Sequence, residues 1–531
     1  MKINKFTSLF ATCLLMGLTA CSNDNVSDAD YSNSAKDKDL TGKTSFSITS
    51  EAKTRTSGVY NSGVDFYWTP NDNIWVKSGS TTSPTLTASS SNNITSTTTS
   101  AKFYFDGTYT AASYPVRYTG NASTSGNTVT IATSQNQDEA NNATQLGTVG
   151  DCGVGTATRQ TDGSYKFTLS HKASYITFMP YYSKEPLDAS AVVTQIKVEA
   201  ANDEKLAGTF NFSDSGLGAA NSSSNSVTLT LNGTSSTTGF PIPTTATASK
   251  NAAIMVVAPG TYSTFKVTYT LYDSVTGTKS TISYTYSGIN CIAGKNQVIK
   301  TDLGMATYTS RKNKYYMWDA VSNYWDGHAN SQPLLNNAVN TNYATSSGDS
   351  RWYNTTFTDK VQTKAINSCK DAPTFEALTW YIGGGSPQLD NKTLWVFANH
   401  LYAGGIWLKK KSKILGFNPA ESYTGTATWV SGKDIKFTVS NFGKPESTVR
   451  SDYFYLPALG QYVDGKLTGL GVKGYYWAST PNPVNDGDRS QPYGKVISAN
   501  CLRFATDATL NNVYVRSYYE RYVGMQVQKF E

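Results

Sequence analysis

The chain has 531 residues, of which 38% are hydrophobic and 12% aromatic, so it has enough apolar material for several cores and is not a wholly disordered protein. Only 16% of the residues are charged, and the formal net charge of +7 is spread along the chain, which argues against a nucleic-acid-binding protein. The 35 tyrosines, with abundant Ser, Thr, Asn and Gly, are typical of antiparallel sheets that have one solvent-exposed face.

Residues 1–20 have the pattern of an export signal. Lys2 and Lys5 precede an apolar core, Leu9–Leu18, that is too short to span a bilayer. The run LTAC ending at Cys21 resembles a bacterial lipobox, which implies that Cys21 is lipidated and becomes the mature N-terminus. The alternative is an ordinary secretory signal with an incidental Cys.

Residues 21–44 are polar and charged, which predicts a flexible tether. Asp24, Asp28 and Asp30 resemble the export tags of surface-exposed lipoproteins in some Gram-negative bacteria, although a solvated linker would have the same composition. The expected location is therefore the cell surface, with a lipid anchor in the outer membrane.

Residues 45–160 predict a first β-sandwich. A candidate first strand covers Ser45–Ser50, and a later hairpin turns at Asp106-Gly107. Residues 79–101 are dominated by Ser, Thr and Asn, which predicts a long surface loop.

Residues 161–305 predict a second β-sandwich. Short runs rich in Val, Ile, Tyr and Thr recur with Gly, Asp and Asn between them, as in packed antiparallel sheets. His171 lies within an apparent strand, where a lone His is more often packed than a ligand. No zinc-type spacing and no cofactor motif accompanies it, so neither a metal nor a cofactor is predicted.

Several motifs in this region, taken in order, resemble the fimbrillin family, the FimA/Mfa-like subunits of type V pili. They are Trp68 with Asp72; Phe167, Leu169, His171 and Ser174; Ile196, Val198, Leu206 and Gly208; Val256–Gly260; and Ala293–Gln297.

The resemblance implies two tandem transthyretin-like sandwiches, export as a lipoprotein, and partners that are other fimbrillin subunits joined by strand exchange. In the family an Arg-specific protease removes the first strand, and another subunit fills the groove with its own C-terminal strand. Arg55 follows the candidate first strand and is the candidate cleavage site. It could equally be a turn residue of a subunit that is not cut.

Residues 306–314 predict a short polar linker, after which residues 315–531 form a further domain. Within residues 359–382 two apolar stripes at helical spacing predict two short helices separated by Pro373. Asp371 or Thr374 could cap the second helix.

This last domain resembles a bacterial C-type lectin-like domain of α+β class. The matching residues are Cys369, Thr374, Glu376 and Leu378; Leu456–Ala458 with Gly460; Tyr476, Trp477, Ser479 and Thr480; Cys501, Leu502 and Phe504; and Arg521, Gly524 and Val527. The spacing from Thr374 to Leu378 departs from the family pattern by one position. We expect Trp477 to lie in the core.

Four cysteines remain besides Cys13 and Cys21. The lectin-like resemblance implies a disulfide between Cys369 and Cys501, while Cys152 and Cys291 have no argued partner. The alternative is that all four are free thiols.

Three features leave ligand binding open. The loop Thr480–Arg489 carries Asn482, Asn485, Asp486 and Asp488, which could hold a hard cation or form an ordinary acidic turn. Five tyrosines could form a stacking surface or be partly buried: Tyr475, Tyr476, Tyr514, Tyr518 and Tyr519. The cluster of Lys409, Lys410, Lys411 and Lys413 suits an anion or glycan contact, or a solvated edge strand.

Two hypotheses of function follow. The first is a type V pilus subunit at the tip, with a fimbrillin body that accepts a donor strand and a lectin-like adhesive head that occupies the C-terminus. The second is a non-polymerising surface lipoprotein that binds a glycan or a host protein. No catalytic constellation is evident, so an enzyme is not expected.

Overall fold

The computed structural model describes residues 40–48, 57–60, 64–80, 83–232, 238–355, 365–425, 434–482, 498–506 and 511–531. The chain divides into two compact units, residues 1–42 and residues 43–531, and every helix and strand below belongs to the second unit. The export signal, Cys21 and Arg55 lie outside the described residues. We call residues 43–305 the body, residues 306–314 the linker and residues 315–531 the head.

The first elements of the body are mostly short strands, as the turn-rich sequence predicts. They are β1 (Lys43–Ile48), β2 (Ser57–Tyr60), β3 (Val64–Tyr67), β4 (Trp75–Ser80), β5 (Ser83–Ala88), β6 (Ser91–Asn92), β7 (Lys102–Asp106), β8 (Ser113–Tyr118), β9 (Thr128–Ile131), β10 (Ser134–Gln137), helix α1 (Leu146–Val149), β11 (Gly153–Arg159), β12 (Tyr165–Phe167) and β13 (Ser170–His171).

Most of these strands form one nine-stranded sheet. Its order is β5-β4-β8-β11-β12-β1-β7-β6, with β13 paired to β11, while β2 and β3 form a separate hairpin. Large apolar side chains, among them Trp68, Phe103 and Tyr118, fill the core of this part of the body. Strand β1 is therefore internal to its sheet and has a neighbour on each side.

The second part of the body adds longer strands. They are β14 (Ser174–Tyr181), β15 (Ala191–Ala200), β16 (Ala207–Ser213), β17 (Gly216–Ser224), β18 (Ser226–Leu231), β19 (Phe240–Pro241), helix α2 (Ala248–Asn251), β20 (Ala253–Val257), β21 (Gly260–Asp273), β22 (Thr278–Cys291) and β23 (Asn296–Asp302). A six-stranded sheet, β10-β18-β15-β21-β22 with β19 beside β15, packs with the three-stranded sheets β20-β14-β23 and β17-β16-β9.

The two cores of the body exchange segments of chain. Val129 and Leu146, which precede residue 160, lie in the second core. Phe167 and Leu169, which follow it, lie in the first core. The predicted boundary after residue 160 therefore falls between β11 and β12, two paired strands of one sheet. The mainly β fold is confirmed, and the division into two transthyretin-like sandwiches stays a prediction.

The expectation of a long loop over residues 79–101 is wrong. Strand β5 pairs with β4, and β6 pairs with β7 at the opposite edge of the sheet. Both are edge strands made largely of Ser and Thr, whose half-exposed side chains give no apolar alternation. Backbone pairing with an established neighbour fixes them instead.

The linker and the head contain the remaining elements. They are β24 (Ala306–Thr307), β25 (Tyr315–Tyr316), helix α3 (Phe375–Gly383), β26 (Gln388–Phe397), β27 (His400–Lys409), β28 (Ile435–Thr438), β29 (Asn441–Phe442), β30 (Tyr453–Pro457), β31 (Leu459–Val463), β32 (Lys466–Leu470), β33 (Lys473–Pro481), β34 (Ser498–Ala505), β35 (Asn512–Glu520) and β36 (Met525–Gln526), with 3-10 helices at Thr309–Lys314, Ala329–Ser331, Lys411–Lys413 and Arg450–Asp452.

Two sheets organise the head. One has the order β24-β26-β27-β30, and the other has the order β25-β36-β33-β34-β35-β28, with β31 joined to β33. Helix α3 packs Phe375, Leu378 and Ile382 against a core shared with Leu502 and Val515 of the second sheet.

Only one of the two predicted helices is present in the described chain. Thr374 caps α3, since its hydroxyl accepts the Ala377 backbone N–H at 3.2 Å, as the sequence predicts. Residues 365–369, the described end of the first predicted helix, are not helical and lead into a turn. Backbone N–H groups there bond to the carboxylate of Asp319, which lies far away in sequence.

Residues 306–314 are ordered against the head. Strand β24 pairs in parallel with β26, and the Tyr308 backbone N–H donates to the Val396 carbonyl at 2.8 Å. Tyr308 and Trp395 also meet edge to face, with ring centroids 5.8 Å apart. This segment is polar in sequence, yet its backbone is part of the head sheet.

Candidate functional site

The first strand of the body is the candidate site for strand exchange. Strand β1 pairs in parallel with β12, where Phe46 lies opposite Tyr165, and antiparallel with β7, where Phe46 lies opposite Phe103. The structure begins this strand at Lys43 and describes it to Ile48, close to the predicted Ser45–Ser50. If β1 leaves, two neighbouring strands lose their backbone partners at once.

Phe46 anchors this strand. Its side chain is fully buried, and its ring stacks on Tyr165 at 4.6 Å and meets Phe105 edge to face at 4.9 Å. Ile48 is the other buried side chain of the strand. Burying two such side chains stabilises the strand by about 1.5–3 kcal/mol each.

Lys43 holds the outer end of β1. Its ammonium group lies 2.9 Å from Asp106 Oδ1 and donates to Ser90 Oγ at 3.0 Å. The hydrogen bond from Lys43 lowers the pKa of Asp106. This ion pair is exposed, so it contributes little beside the Phe46 anchor.

A buried cluster of polar groups joins the body to the head. Asp273, at the end of β21, is fully buried, and its Oδ2 lies 3.1 Å from His400 Nδ1 and accepts the Leu401 backbone N–H at 2.9 Å. Asp273 Oδ1 accepts the hydroxyl of Ser190 at 3.0 Å and the Val275 backbone N–H at 3.0 Å. One carboxylate of the body thus fixes the first residues of strand β27 in the head.

Apolar packing extends this joint. Leu394, Val396 and Leu401 of the head belong to the same buried cluster as the second core of the body. Ser280 Oγ also donates to the Lys392 carbonyl at 2.7 Å. The head is therefore packed on the body. Sequence inspection missed the joint because Asp273 and His400 lie 127 positions apart in the chain.

His171 is a packed residue, as its place in a strand predicts. Its Nδ1 lies 2.8 Å from Asp151 Oδ1, and its ring stacks on Phe66 at 4.0 Å. Tyr175 donates a short hydrogen bond to the same carboxylate oxygen. The three polar side chains are almost entirely buried, so this cluster fixes the second core and offers no open site.

Most of the residues that carry the lectin-like resemblance form the core of the head. Buried positions include Leu378, Leu456, Ala458, Tyr476, Trp477, Ser479, Thr480, Cys501, Leu502, Phe504 and Arg521. The expectation that Trp477 lies in the core is confirmed, and its indole N–H donates to the Tyr316 carbonyl at 2.8 Å. These residues specify packing, and the lectin-like family itself stays a prediction.

Asp319 organises the loops beneath this core. Its carboxylate is buried and accepts backbone N–H groups from Ile366 at 2.9 Å and Asn367 at 2.8 Å, and the side-chain amide of Asn354 at 2.8 Å. The Cys369 backbone N–H also donates to the Asp319 carboxylate, at 3.2 Å. Sequence inspection did not single out Asp319, because its partners lie 35 to 50 positions along the chain.

The four described cysteines are buried thiols in the structure. Cys369 and Cys501 belong to one core cluster of the head, and burial raises the pKa of both thiols. Cys152 and Cys291 lie in the second core of the body, where burial raises the pKa of Cys291 to about 11. The disulfide that the lectin-like resemblance implies between Cys369 and Cys501 stays a prediction.

The five tyrosines do not form one surface. Tyr475 and Tyr476 are buried, Tyr514 is half-buried, and Tyr519 meets Tyr475 edge to face at 5.6 Å. The Tyr518 side chain, with Asn485, Asp486 and Asp488 of the candidate cation loop, lies outside the described parts. Asn482 is buried and donates to Ser498 Oγ at 3.1 Å.

The lysine cluster has acidic partners. Lys410 lies 3.2 Å from Glu531 Oε2, and Lys413 lies 3.0 Å from Asp452 Oδ1. Lys409 ends β27, which lies between β26 and β30, so the edge-strand interpretation of this lysine is wrong. The ion pairs leave less charge for an anionic ligand here.

The last described residues are packed into the head. Phe530 is buried, with its ring centroid 5.3 Å from that of Tyr381 and 5.5 Å from that of Phe454. The Glu531 carbonyl accepts the Lys411 backbone N–H at 2.9 Å and the Tyr381 hydroxyl at 3.0 Å. Leaving as a donor strand would break this packing.

Among solved structures, the chain is similar to proteins described as cell adhesion and fimbrial proteins. A candidate cell adhesion protein from Bacteroides uniformis is 13% identical, with a TM-score of 0.30, over 50% of this chain and 93% of that one. A fimbrial protein from Bacteroides ovatus is 10% identical, with a TM-score of 0.26, over 91% of this chain and 99% of that one. These TM-scores are too low to establish a shared fold.

No family model matches the sequence. No curated protein matches it either. In the described ranges, no helix has the length and apolar character to cross a bilayer. Within those same ranges, no group of three or more His, Cys, Asp or Glu side chains is arranged to hold a metal ion.

Proposed function

We propose that this protein is an adhesive surface subunit of a type V pilus and that it occupies the tip. In this proposal the precursor is exported and lipid-anchored at Cys21 in the outer membrane. Cleavage after Arg55 then frees β1, and the body accepts a donor strand from another subunit. The head carries the ligand-binding surface.

The observation that supports this proposal best is the place of β1 in its sheet. It is a six-residue internal strand with Phe46 and Ile48 as its buried anchors. Its departure would leave the facing edges of β7 and β12 unpaired over an aromatic slot that includes Phe105 and Tyr165. A donated strand with an apolar side chain at the Phe46 position would satisfy both the backbone groups and the slot.

A tip position is supported by the packing of residues 525–531. Phe530 and the Glu531 carbonyl are held by Tyr381 and the neighbouring backbone. A subunit that keeps this segment packed in its own head does not donate it to a neighbour.

The experiment is N-terminal sequencing, by mass spectrometry, of protein sheared from intact cells. Wild-type protein should begin at Thr56 and co-purify with a smaller subunit. Arg55→Lys should abolish the processing, because it keeps the charge but removes the Arg. Lys53→Ala, the matched control, should be processed normally. Wild-type protein that begins at an acylated Cys21, with no partner, would overturn the tip assignment.

The second candidate is a standalone surface lipoprotein that binds a glycan or a protein and keeps its first strand. The tight aromatic packing of Phe46 favours this candidate, since retention of β1 leaves a closed and stable sheet. The same sequencing experiment separates the two candidates.

A further inference from the structure

One face of the large head sheet carries a row of basic and aromatic side chains. Tyr475 on β33 lies opposite Arg503 on β34, which lies opposite Tyr514 on β35. Tyr514 in turn lies opposite Lys436 on β28. Since cross-strand neighbours project to the same side of a sheet, these four side chains form one continuous row.

The opposite face of these strands packs into one core of the head, while Tyr475, at the end of the row, is buried in a second core cluster. Leu502, Phe504, Val513 and Val515 alternate with the residues of the row and are fully buried. Arg516, two positions after Tyr514, shares the side of the sheet on which Tyr514 and Arg503 lie. We call Arg503, Tyr514, Arg516 and Lys436 the basic face.

The ring of Tyr514 lies close to the guanidinium groups of both arginines. The guanidinium carbon of Arg516 lies 5.3 Å from the centroid of the ring, and that of Arg503 lies 5.7 Å away. Cation–π contacts of this kind hold like charges near each other without neutralising them. The ring therefore fixes two planar cationic groups side by side.

The positive charge of this face is only partly compensated. Arg516 Nε lies 2.7 Å from Asp434 Oδ2, which is the acidic partner of this group. Within the described chain, Arg503 Nε is a buried polar atom with no hydrogen-bond partner, and Lys436 is exposed and has no ion pair. Among the described residues of this face, three cations accompany one carboxylate, so this part of the face has a net positive charge.

A small groove lies on this face. It has a volume of about 50 Å³ and is lined by Arg503, Phe504, Ala505, Asn512 and Tyr514. This space suits a small anionic group better than a bulky apolar side chain. Arg presents its N–H groups in a planar fork that matches a carboxylate.

We propose that the basic face binds carboxylate-bearing glycans, that is, polysaccharides that contain uronic or other acidic sugars, without calcium. Arg503 and Arg516 would bind the carboxylate, while the Tyr514 hydroxyl and the Asn512 amide would bind sugar hydroxyls. A glycan fits better than an acidic protein, because the face presents no exposed large apolar side chain in its described part, as a stable protein interface would. This inference deepens the proposed function by naming the ligand class of the head.

The test uses the full chain, purified in detergent, and biolayer interferometry on immobilised polygalacturonate. The matched neutral surface is the same polymer with its carboxyl groups methyl-esterified. We expect binding to the acid and not to the ester, without added calcium, and weaker binding as salt increases. The double variant R503Q/R516Q should bind at least about tenfold more weakly. R159Q, which changes an exposed arginine of the body, should bind as the wild type does.

A second variant keeps the test valid if R503Q/R516Q misfolds, since that double variant removes the ion pair between Arg516 and Asp434. Lys436 is exposed, so K436E should fold normally and still weaken binding. The proposal is overturned if acid and ester bind equally, or if K436E and any folded R503Q/R516Q protein bind like the wild type. Tighter binding to poly-glutamate overturns the glycan class, and binding to dextran sulfate alone overturns the carboxylate.

The result is independent of pilus assembly. A variant can lose glycan binding while it is still processed at Arg55 and still found on sheared fibres. That result would bear on the glycan site and not on the tip assignment. Absence of processing with intact glycan binding concerns the tip assignment alone.

Discussion

The ring of Phe46 lies almost parallel to the ring of Tyr165, with centroids 4.6 Å apart and planes inclined by 9°. This stack joins the first strand of the body to its parallel neighbour β12, 119 positions later in the chain. Any process that removes the first strand has to break this contact.

Phe46→Ala should destabilise the protein by about 3 kcal/mol, because truncating a buried Phe removes its burial and leaves a cavity. The free energy of unfolding from urea titration measures this change. Phe442→Ala is the control, since Phe442 is 63% exposed and its loss should have no measurable effect. Equal stability of the two variants would contradict the role of Phe46 as the anchor of β1.

Asp273→Ala should weaken the joint between body and head by about 2 kcal/mol, because buried donors, among them the Leu401 N–H, lose their acceptor. Thermal unfolding followed by calorimetry should show a lower midpoint, and limited proteolysis should release the head sooner. Asp138→Ala, at an exposed position, is the control and should leave both unchanged. An unchanged midpoint in Asp273→Ala would show that this carboxylate does not stabilise the joint between body and head.

Asp214 gives the protein an acid-dependent contribution to stability. Partial burial alone would raise the pKa of Asp214, but hydrogen bonds from Arg117 and Lys77 outweigh it and lower the pKa below its usual range. Arg117 is buried and also donates to the Phe212 carbonyl at 3.1 Å, so the pair connects β8 with the turn after β16.

The sign of the pH effect follows from that direction. A carboxyl group whose pKa is lower in the folded state stabilises it above the unfolded pKa, about 3.9, and loses this contribution as pH falls through the folded pKa. Asp214→Asn should therefore lower the melting temperature at pH 7, and its difference from the wild type should shrink below about pH 4. A difference that stays constant between pH 7 and pH 3 would contradict an ionised Asp214 as the source.

Cys369 and Cys501 should be linked by a disulfide in protein exported from cells, as the lectin-like resemblance implies. Both side chains lie in one buried cluster, where a bridge would be shielded from reductant. Peptide mapping after unfolding and alkylation without reductant should recover the two cysteines in one linked pair. Cys152 and Cys291 serve as the internal comparison and should be alkylated. Alkylation of all four would contradict the bridge.

The local character of many elements follows from the sequence alone. Alternating apolar residues place the strand of Val227, Leu229 and Leu231, and the stripe of Phe375, Leu378 and Ile382 after Thr374 places the helix. The packed state of His171 and Trp477 was also predictable, because each lies in a strongly apolar stretch. These features depend on neighbours within a few positions.

Other features depended on the fold. Residues 83–88 and 91–92 form edge strands although Ser and Thr give no alternation. Residues 365–369 are not helical, and Asp319 supplies acceptors for their backbone. The basic face exists only because strand pairing places Arg503 beside Tyr514.

The sequence by itself therefore determined the mainly β class and the helix that begins after its Thr374 cap. Only the tertiary structure decided which strands flank Phe46, that the Asp273 carboxylate accepts the Leu401 backbone N–H, and which basic side chains share one face. The physical reason is that strand partners and buried hydrogen-bond acceptors lie far apart in the chain. Many segments have similar local sequence, and only register and burial in the folded protein determine which of them pair.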